Sequence, residues 1–461
     1  MPPLSAQPLS PLDGRYRAVT EPLAEHLSEA GLNRARLKVE VEWLLALTDA
    51  GVAGTAPLGD EDRAALRGLV TSFGDEEVAE LARIEERTRH DVKAVEYLLR
   101  ARLDGLGLGR LAELAHFAFT SEDVNNLAVA LTVKDALLGV WLPAFDAVLE
   151  RLTDRARAWA AVPMLARTHG QPATPTTMGK ELAVFAHRLQ RLRRGVLAVE
   201  IVGKSNGASG DYAAHVVAAP GIDWEEVSRR FVTGLGLTWN PLTTQIESHD
   251  WQVELYGRLI HVNGVLHNLC TDVWLYIADG SLRQLPVEGA TGSSTMPHKV
   301  NPIRFENAEA NLELSTGVLG TLERTLVTSR LQRDLTDSSS QRNIGVGLGH
   351  ALVALTNLAR GLDEVDVDEA LLAAQLEANQ EVLGEAIQTV VRAEIAAGRS
   401  GLTNPYELVK ELTRGRRVTA EHLAAFVRGL DLEPDVQERL AALTPATYTG
   451  LAARLVDHLD D

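Results

Sequence analysis

The sequence predicts an all-α protein built from long helices. Proline is the residue that a helix interior tolerates least, and none occurs from 242 to 285 or from 303 to 404. Apolar residues recur at spacings of four and three in three segments, which places them along one side of a helix. Alternation with a period of two is almost absent. The three stripes are Leu255, Leu259, Val262, Leu266, Leu269 and Val273; Leu182, Phe185, Leu189, Leu192 and Val196; and Leu348, Leu352, Leu355 and Leu358.

Length and changes in composition predict three helical domains. With 461 residues, the chain is longer than a single core usually serves. Residues 1–111 carry many charges and predict shorter helices, whereas residues 112–364 contain the long stripes and predict a central bundle. Near Asp366 the sequence Asp-Val-Asp-Glu can cap a new helix, so we expect residues 365–461 to form a C-terminal helical domain.

The helix predicted over 255–273 is apolar on more than one side. A helix that is apolar nearly all round has to be covered all round. One chain of this length would cover it with difficulty, so we expect subunits of an oligomer to share the bundle. The alternative is a helix at the centre of a monomeric bundle. The apolar residues off the main stripe are Ile260, Val265, Cys270, Trp274 and Ile277.

Composition argues against several classes of protein. Lys plus Arg number 45 and Asp plus Glu number 63, and the net charge of −18 disfavours wrapping nucleic acid or lying on an anionic membrane. The single cysteine, Cys270, excludes an internal disulfide framework and a thiolate metal cluster, and suits a reducing compartment. No signal peptide is visible and no run of 18 uncharged apolar residues occurs. We therefore expect a soluble, cytoplasmic protein.

Common ligand-binding signatures are incomplete in this chain. Gly203-Lys204-Ser205 is similar to the end of a phosphate-binding P-loop, but Ala198 stands where the first glycine belongs. The glycine-rich run 345–349 follows no predicted strand, which disfavours a dinucleotide site. His90-Asp91 and His249-Asp250 could ligate a metal, but neither has a second histidine at helical spacing. Capping or surface roles are favoured for both pairs.

Three segments concentrate polar groups suited to binding anions. Residues 289–302 predict a loop whose backbone N–H groups and one lysine can contact an anion. Residues 167–175 place His169 on a loop bounded by glycine and proline, ahead of the helix predicted over 178–196. Thr120-Ser121 can cap a helix or bind a phosphate or carboxylate at its N-terminus. The alternatives are a polar surface connection, a structural histidine and an ordinary helix cap.

The first of these segments resembles the signature loop of the fumarase/aspartase superfamily. It reads Ser293-Ser294-Thr295-Met296-Pro297-His298-Lys299-Val300-Asn301-Pro302. Further segments resemble the adenylosuccinate lyase family, of the bacterial type with a long C-terminal domain. These segments are 10–16, 88–97, 120–123, 167–175, 244–247 and 333–338. The resemblance implies an all-helical homotetramer whose active sites combine the segments near 120, 169 and 293 from three subunits.

The resemblance also implies a reaction. Members of that family eliminate fumarate from adenylosuccinate to give AMP, and from succinylaminoimidazole carboxamide ribotide to give AICAR, in purine nucleotide biosynthesis. Both substrates carry a phosphate and two carboxylates, so the site has to be locally basic in an acidic chain. Elimination needs a base for a carbon-bound proton and an acid for the departing nitrogen. By the resemblance Ser293 is the base and His169 the acid, and no metal or organic cofactor is required.

A set of substrate contacts follows from the same resemblance. Lys299 and Asn301 are expected to hold the succinyl carboxylates, and His90 either to orient His169 or to contact phosphate. Arg89 stands where the bacterial relatives often carry asparagine, so its contribution is left open. The implied substrate-binding residues are Arg15, Tyr16, Arg89, His90, Asp91, Thr120, Ser121, Gln245, Ser294, Lys299, Val300, Asn301, Asn307, Arg333, Ser338, Ser339, Ser340, Gln341 and Arg342.

Two other kinds of function compete with this interpretation. Argininosuccinate lyase or a carboxymuconate cycloisomerase-like enzyme belongs to the same superfamily, and the cycloisomerases can share the Met-Pro-His-Lys sequence. Arg15-Tyr16 and residues 88–97 favour the adenylosuccinate lyase family instead. Because fold alone does not determine function, a non-catalytic structural protein on this scaffold is the other alternative. Such a protein would not need the acid, the base and the basic residues together.

Overall fold

The computed structural model describes residues 8–285, 296, 299–413 and 418–460, with the side chains of 411–413 excepted. Helices account for 68% of the structure and strands for 5%, which confirms the all-α prediction. The helices are α1 (Arg17–Leu27), α2 (Glu29–Asp49), α3 (Asp60–Thr71), α4 (Asp75–Thr88), α5 (Asp91–Gly105), α6 (Ser121–Ala136), α7 (Leu142–Ala158), α8 (Met178–Leu197), α9 (Ala213–Ala218), α10 (Trp224–Gly234), α11 (Asp250–Ala278), α12 (Ile303–Leu326), α13 (Thr336–Gln341), α14 (Ile344–Asp363), α15 (Glu369–Glu377), α16 (Gly384–Ala396), α17 (Pro405–Thr413), α18 (Ala420–Arg428), α19 (Pro434–Ala441) and α20 (Ala452–Leu455).

Six short strands form three two-stranded sheets within the described ranges. The sheets are an antiparallel pair of β1 and β2, a parallel pair of β3 and β4, and an antiparallel pair of β5 and β6. The strands are β1 (Pro163–Thr168), β2 (Gln171–Thr177), β3 (Val202–Gly203), β4 (Thr238–Trp239), β5 (Leu282–Gln284) and β6 (Val365–Val367). The loop predicted over 167–175 is therefore wrong, because these residues lie in the β1–β2 hairpin.

The chain divides into two compact units, each assembled from segments distant in sequence. The first contains the chain up to Asp146, Leu192–Gly264 and Ala308–Thr356. The second contains Ala147–Arg191, Val265–Asn307 and the chain from Asn357 onwards. The unit boundaries fall inside long helices such as α11, α12 and α14. The division into domains at 111/112 and 364/365 stays a prediction.

In the first unit, α2 packs on α6 through an apolar core. The side chain of Ser28 caps α2 by accepting a hydrogen bond from the N–H of Gly31 at 3.1 Å. Trp43 of α2 is fully buried, its ring is stacked on Phe119 with centroids 4.3 Å apart, and its indole N–H donates to the carbonyl of Phe117 at 2.9 Å. The start of α6 is thus held by a large aromatic side chain of α2.

Residues 121–158 run as a continuous helical stretch of α6, a π-helical turn at Leu137–Trp141, and α7. By length and composition alone, this stretch could cross a membrane. However, 56% of its most apolar 18-residue window is buried inside the chain. A core helix passes the same test of length and composition, and the burial favours that interpretation.

The three apolar stripes predicted from the sequence are almost entirely buried. Leu182 and Val196 of α8, Leu255 of α11 and Leu358 of α14 are each no more than 2% exposed. Trp274 and Leu275, near the end of α11, are instead 39% and 53% exposed. Among the residues that the structure describes, the apolar surface of α11 is therefore incompletely covered.

The C-terminal part of the second unit has an apolar cluster of its own. The helix cap predicted near Asp366 is confirmed at Asp368, whose side chain accepts from the N–H of Leu371 at 2.9 Å and begins α15. The buried members of the cluster are Leu383, Ile387, Val391, Val418, Leu423, Val427, Leu430, Leu432, Val436 and Leu440.

A close approach of two backbones makes Gly179 intolerant of a side chain. A methyl group on Gly179 of α8 would lie 2.2 Å from the carbonyl oxygen of Ala156 and 2.4 Å from the nitrogen of Ala160. Since both neighbours are backbone atoms, we expect Gly179→Ala to lower the free energy of unfolding by at least ~1 kcal/mol, as overpacking does. Urea denaturation measures this change.

The matched control is Gly68→Ala in α3, where an added methyl group meets nothing within 4 Å. This control should be neutral or stabilise by up to ~1 kcal/mol, because alanine favours a helix over glycine. Equal urea midpoints for the two variants would contradict the assigned backbone contact.

Candidate active site

The predicted site residues fall into two groups, one in each compact unit. The predicted base Ser293 and its neighbour Ser294 lie outside the described residues. The second unit contains His169, Lys299, Val300, Asn301 and Asn307. The first unit contains Arg15, Tyr16, Arg89, His90, Asp91, Thr120, Ser121, Gln245, Arg333, Ser338, Ser339, Ser340, Gln341 and Arg342.

His169 lies at the tip of the β1–β2 hairpin. Thr168 pairs with Gln171, so the turn consists of His169 and Gly170 alone. Both have positive φ, at 53° and 73°, as a two-residue type I′ turn requires. Glycine adopts this conformation freely, and histidine is among the residues that tolerate it better than most. The turn leaves the imidazole exposed.

The hairpin is held along its second strand by the C-terminal part of the chain. Glu385 of α16 accepts hydrogen bonds from the hydroxyl of Thr174 at 2.6 Å and from the hydroxyl of Tyr448 at 3.3 Å. On the first strand, the guanidinium of Arg167 lies 3.9 Å from a carboxylate oxygen of Asp279. Residues beyond 365 thus help to position the strand next to His169.

The segment before α12 presents a cation to solvent. The Lys299 side chain is exposed, and the backbone N–H of Lys299 donates to the carbonyl of Met296 at 3.0 Å. The carbonyl of Val300 accepts from the side-chain amide of Gln284 at 2.6 Å. Asn307, in the first turns of α12, accepts from the side chain of Asn357 at 2.9 Å. Asn301 is half-buried two residues before α12 begins.

In the first unit, residues 89–91 join α4 to α5. Arg89 ends α4 with a positive φ of 57°. His90 is the N-cap of α5, and its Nδ1 accepts from the N–H of Lys93 at 3.2 Å. This confirms the capping role favoured for His90-Asp91 over metal binding. Asp91 turns towards two guanidinium groups, 2.9 Å from Arg36 and 3.4 Å from Arg342.

A second cluster surrounds Arg333. One guanidinium nitrogen of Arg333 lies 3.1 Å from Glu122 and 3.0 Å from Asp337. Asp337 is also 3.2 Å from Nε2 of His249, which is 2% exposed. Burial raises the pKa of Glu122 above its usual value despite the nearby cation. Burial opposes ionisation of Asp337 as well, but its hydrogen bond to His249 and the charge of Arg333 lower its pKa.

Capping or surface roles are predicted for His249-Asp250, and of these a surface position is wrong for His249. Its ring is buried against Asp337 of α13, while Nδ1 lies 3.5 Å from the amide nitrogen of Gln341. Periodicity in the sequence does not reveal this pair, because the two residues are 88 positions apart. No group of three or more His, Cys, Asp or Glu side chains within the described ranges is arranged to hold a metal ion.

The N-terminus of α6 is held by a buried ion pair. Asp123 accepts from the backbone N–H of Thr120 at 2.9 Å, and it lies 2.9 Å from the ammonium of Lys204. Both side chains are fully buried. The N–H groups of Asn206 and Gly207 also donate to Asp123, at 3.0 Å and 3.1 Å. Lys204 is thus committed to structure, in agreement with the rejection of a P-loop at this position.

The remaining predicted residues lie at turns or short helices of the first unit. Arg15 is exposed, and Tyr16 is the N-cap of α1. The side-chain amide of Gln245 donates to the carbonyl of Ala208 at 2.8 Å. The hydroxyl of Ser340 donates to the carbonyl of Thr336 at 2.9 Å within α13. Ser338 and Ser339 lie in that same helix.

Comparisons with known proteins identify the family. A family model described as "Lyase" matches residues 14–317, and one described as "Adenylosuccinate lyase C-terminal" matches residues 329–449. Over 453 residues, 98% of each chain, the sequence is 46% identical to the adenylosuccinate lyase of Escherichia coli strain K12. It is 45% identical, over 453 residues and 98% of each chain, to that of Haemophilus influenzae. The chain belongs to the adenylosuccinate lyase family.

Solved structures with the same fold are more distant than these relatives. The 3-carboxy-cis,cis-muconate lactonizing enzyme from Pseudomonas putida has a TM-score of 0.71 and 24% identity, over 95% of this chain and 96% of that one. A fumarate lyase from Mesorhizobium sp. BNC1 has a TM-score of 0.71 and 19% identity, over 95% and 97%. At these identities, the likeness shows the fold alone. The resemblance to the adenylosuccinate lyase family, predicted from the sequence, is confirmed by membership of it.

The segment preceding the Thr120 cap contains a half-buried histidine paired with a buried carboxylate. Nδ1 of His116 lies 2.5 Å from Glu40, which also accepts from the N–H of His116 at 3.0 Å. His116 and Ala118 both have positive φ, so this segment depends on its anchors. Burial lowers the pKa of His116, but the hydrogen bond and charge of Glu40 outweigh burial and raise the pKa above its usual value.

We expect Glu40→Gln to lower stability in a pH-dependent way. Because the pKa of His116 is raised in the folded protein, the charged pair contributes fully below the unfolded pKa of about 6.5. That contribution disappears as the pH rises through the folded pKa. Urea midpoints of the wild type and of Glu40→Gln, measured from pH 6 to pH 9, should therefore converge towards higher pH.

The matched control for pH dependence is Glu42→Gln in the same helix. Glu42 forms an exposed ion pair with Arg67, with the closest atoms 2.6 Å apart. Its partner does not titrate in this range, so the loss should not vary between pH 6 and pH 9. A constant difference for Glu40→Gln as well would contradict a charged His116.

Proposed function

We propose that this chain is an adenylosuccinate lyase that releases fumarate from adenylosuccinate and from succinylaminoimidazole carboxamide ribotide in purine nucleotide biosynthesis. The observation that carries the proposal is the identity of about 45% to curated adenylosuccinate lyases over 98% of the chain. The matched C-terminal family model supports this choice within the superfamily, because it bears the name of this enzyme.

The proposed reaction breaks one carbon–nitrogen bond and one carbon–hydrogen bond. Ser293 takes a proton from the carbon adjacent to the one that carries the departing nitrogen. The electrons of that carbon–hydrogen bond form the double bond of fumarate as the carbon–nitrogen bond breaks. His169 gives a proton to the departing nitrogen, which becomes the exocyclic amino group of AMP or the carboxamide nitrogen of AICAR. A serine alkoxide needs backbone N–H groups and nearby positive charge to be accessible at neutral pH.

The position of His169 supports its role as the acid. The imidazole is exposed at the tip of a two-residue turn, where a substrate can approach it without displacing other side chains. An imidazole can both donate and take up a proton, so the acid can be restored in every turnover. The contacts of Glu385 with Thr174 and Tyr448 stabilise the strand that follows the turn.

Several cations of the chain are proposed to bind the anionic substrates. Arg15, Arg333 and Arg342 are assigned to the phosphate end of the nucleotide. Lys299 and Asn301 are assigned to the carboxylates of the succinyl group, where negative charge develops during elimination. In a chain of net charge −18, these groups supply the local positive charge that the substrates require.

We further propose a cytoplasmic homotetramer whose active sites are shared between subunits. Long helices of the chain expose large apolar side chains, which a partner subunit would cover. They include Val184 of α8 at 45% exposure, Trp274 and Leu275 of α11, and Leu314 of α12 at 53%. In this assembly the segments near 120, 169 and 293 come from three different subunits.

The proposed function is tested by incubating the purified protein with adenylosuccinate and quantifying AMP and fumarate. Equal amounts of both products are expected, and the carboxamide ribotide should yield AICAR and fumarate in the same ratio. Argininosuccinate and 3-carboxy-cis,cis-muconate serve as alternative substrates. Turnover of either of these in place of adenylosuccinate would contradict the proposal.

We expect His169→Asn to reduce kcat for adenylosuccinate by about 10²–10⁴, the usual loss on removing a general acid. KM should change much less, because the imidazole acts on the leaving nitrogen in the transition state. The matched control is His422→Asn, which replaces an exposed histidine in α18 and should leave kcat unchanged. An unaltered kcat for His169→Asn would remove this residue from the mechanism.

Shared active sites predict complementation between inactive variants. When His169→Asn and Ser293→Ala tetramers exchange subunits, some hybrid sites receive both intact residues, so activity should return. The measurement is the AMP formation rate before and after exchange, with exchange verified by native mass spectrometry. Verified exchange without recovered activity would argue for sites built from a single subunit.

A further inference from the structure

Arg342 already has anionic partners within its own chain. One guanidinium nitrogen lies 2.5 Å from Glu29, and the other lies 3.4 Å from Asp91. Glu29 is in the first turn of α2, Asp91 is in the first turn of α5, and Arg342 directly follows α13. The cation assigned to the substrate phosphate is therefore neutralised by carboxylates of the same unit.

The two carboxylates differ in how firmly they are held. Asp91 pairs at 2.9 Å with Arg36, whose side chain is 2% exposed. Arg36 in turn donates to Asn33 at 2.9 Å and to Asn125 at 3.0 Å, so Asp91 belongs to a network organised around a buried arginine. Burial opposes ionisation of Asp91, but the charges of Arg36 and Arg342 lower its pKa below the usual value.

Glu29 is the partner that can move. Its side chain is 51% exposed, and its other cationic neighbour, Arg36, is 3.9 Å away. It borders a cavity whose polar lining also includes Ser338, Gln341 and Arg342. An exposed ion pair contributes little net stability, because both groups are well solvated when apart. Displacing the Glu29 carboxylate from Arg342 by another anion therefore costs little free energy.

We propose that Glu29 forms an ion pair with Arg342 until the phosphate of the nucleotide displaces it. Glu29 is then a specificity-determining residue. The inference rests on the proposed function, in which Arg342 binds phosphate. A phosphate dianion carries more charge than a carboxylate and offers more acceptor oxygens to the guanidinium, so it displaces Glu29. A ligand without a phosphate leaves the pair between Glu29 and Arg342 intact.

Two consequences separate this role from a purely structural one. Removing the charge of Glu29 frees Arg342 from a competitor, so ligands that carry a phosphate should bind more tightly. Ligands that lack the phosphate should bind as before, because they never contact Arg342. A structural disturbance around α2 would instead change the affinities of both classes in the same direction.

The test compares Glu29→Gln with the wild-type tetramer. KM for adenylosuccinate and the competitive Ki of inorganic phosphate should both fall about two- to fivefold, as expected on losing one exposed ion pair. The competitive Ki of succinyladenosine, the substrate without its phosphate, should stay the same. The matched control is Glu25→Gln, which removes an exposed carboxylate 3.5 Å from Arg34 and should change none of these constants.

Arg342→Gln distinguishes failure of this inference from failure of the proposed function. It should raise KM for adenylosuccinate, and adding Glu29→Gln to that variant should have no further effect. If Arg342→Gln raises KM but Glu29→Gln leaves phosphate affinity unchanged, the inference is wrong while the phosphate site stands. If Arg342→Gln changes neither KM for adenylosuccinate nor the Ki of inorganic phosphate, both the inference and the role of Arg342 in binding phosphate are wrong. The proposed lyase function would still stand, because the variant still releases fumarate.

Discussion

The fully buried pair of Asp123 and Lys204 is the interaction on which the first unit most depends. A single carboxylate satisfies one ammonium group and three backbone N–H groups, and so it joins the start of α6 to residues 203–207. Removing either partner would leave an uncompensated charge in the core, which typically costs about 3–5 kcal/mol. Thr120 and Ser121 owe their fixed orientation to this arrangement, because Asp123 lies less than one helical turn away.

Internal carboxylates balance the basic side chains of the candidate site. Arg333 is shared between Glu122 and Asp337, whereas Arg36 and Arg342 share Asp91. An acidic protein that binds acidic nucleotides has to keep its cations ordered without a ligand, and nearby carboxylates achieve this. The resulting charge balance explains how a chain of net charge −18 can retain several arginines close together in one unit.

The sequence predicts the helical elements well and the polar contacts poorly. Stripes such as Leu255 to Val273 identify buried helix faces, because periodicity is a local property. The sequence does not predict the hairpin at 163–177, because its strands contain three prolines and four threonines in place of alternating apolar residues. The pairing of His249 with Asp337 joins positions 88 apart, so no local pattern reveals it. Family resemblance, by contrast, named candidate residues that periodicity alone could not select.

The two-residue turn at His169 has a consequence for how the imidazole meets a ligand. A longer loop would sample many backbone conformations, and binding would have to select one of them at an entropic cost. Here the backbone at the tip is fixed by the pairing of Thr168 with Gln171, so only the torsions of the ring remain to be ordered. The turn therefore has to keep its length, because one inserted residue would place the His169 ring on the opposite face of the hairpin.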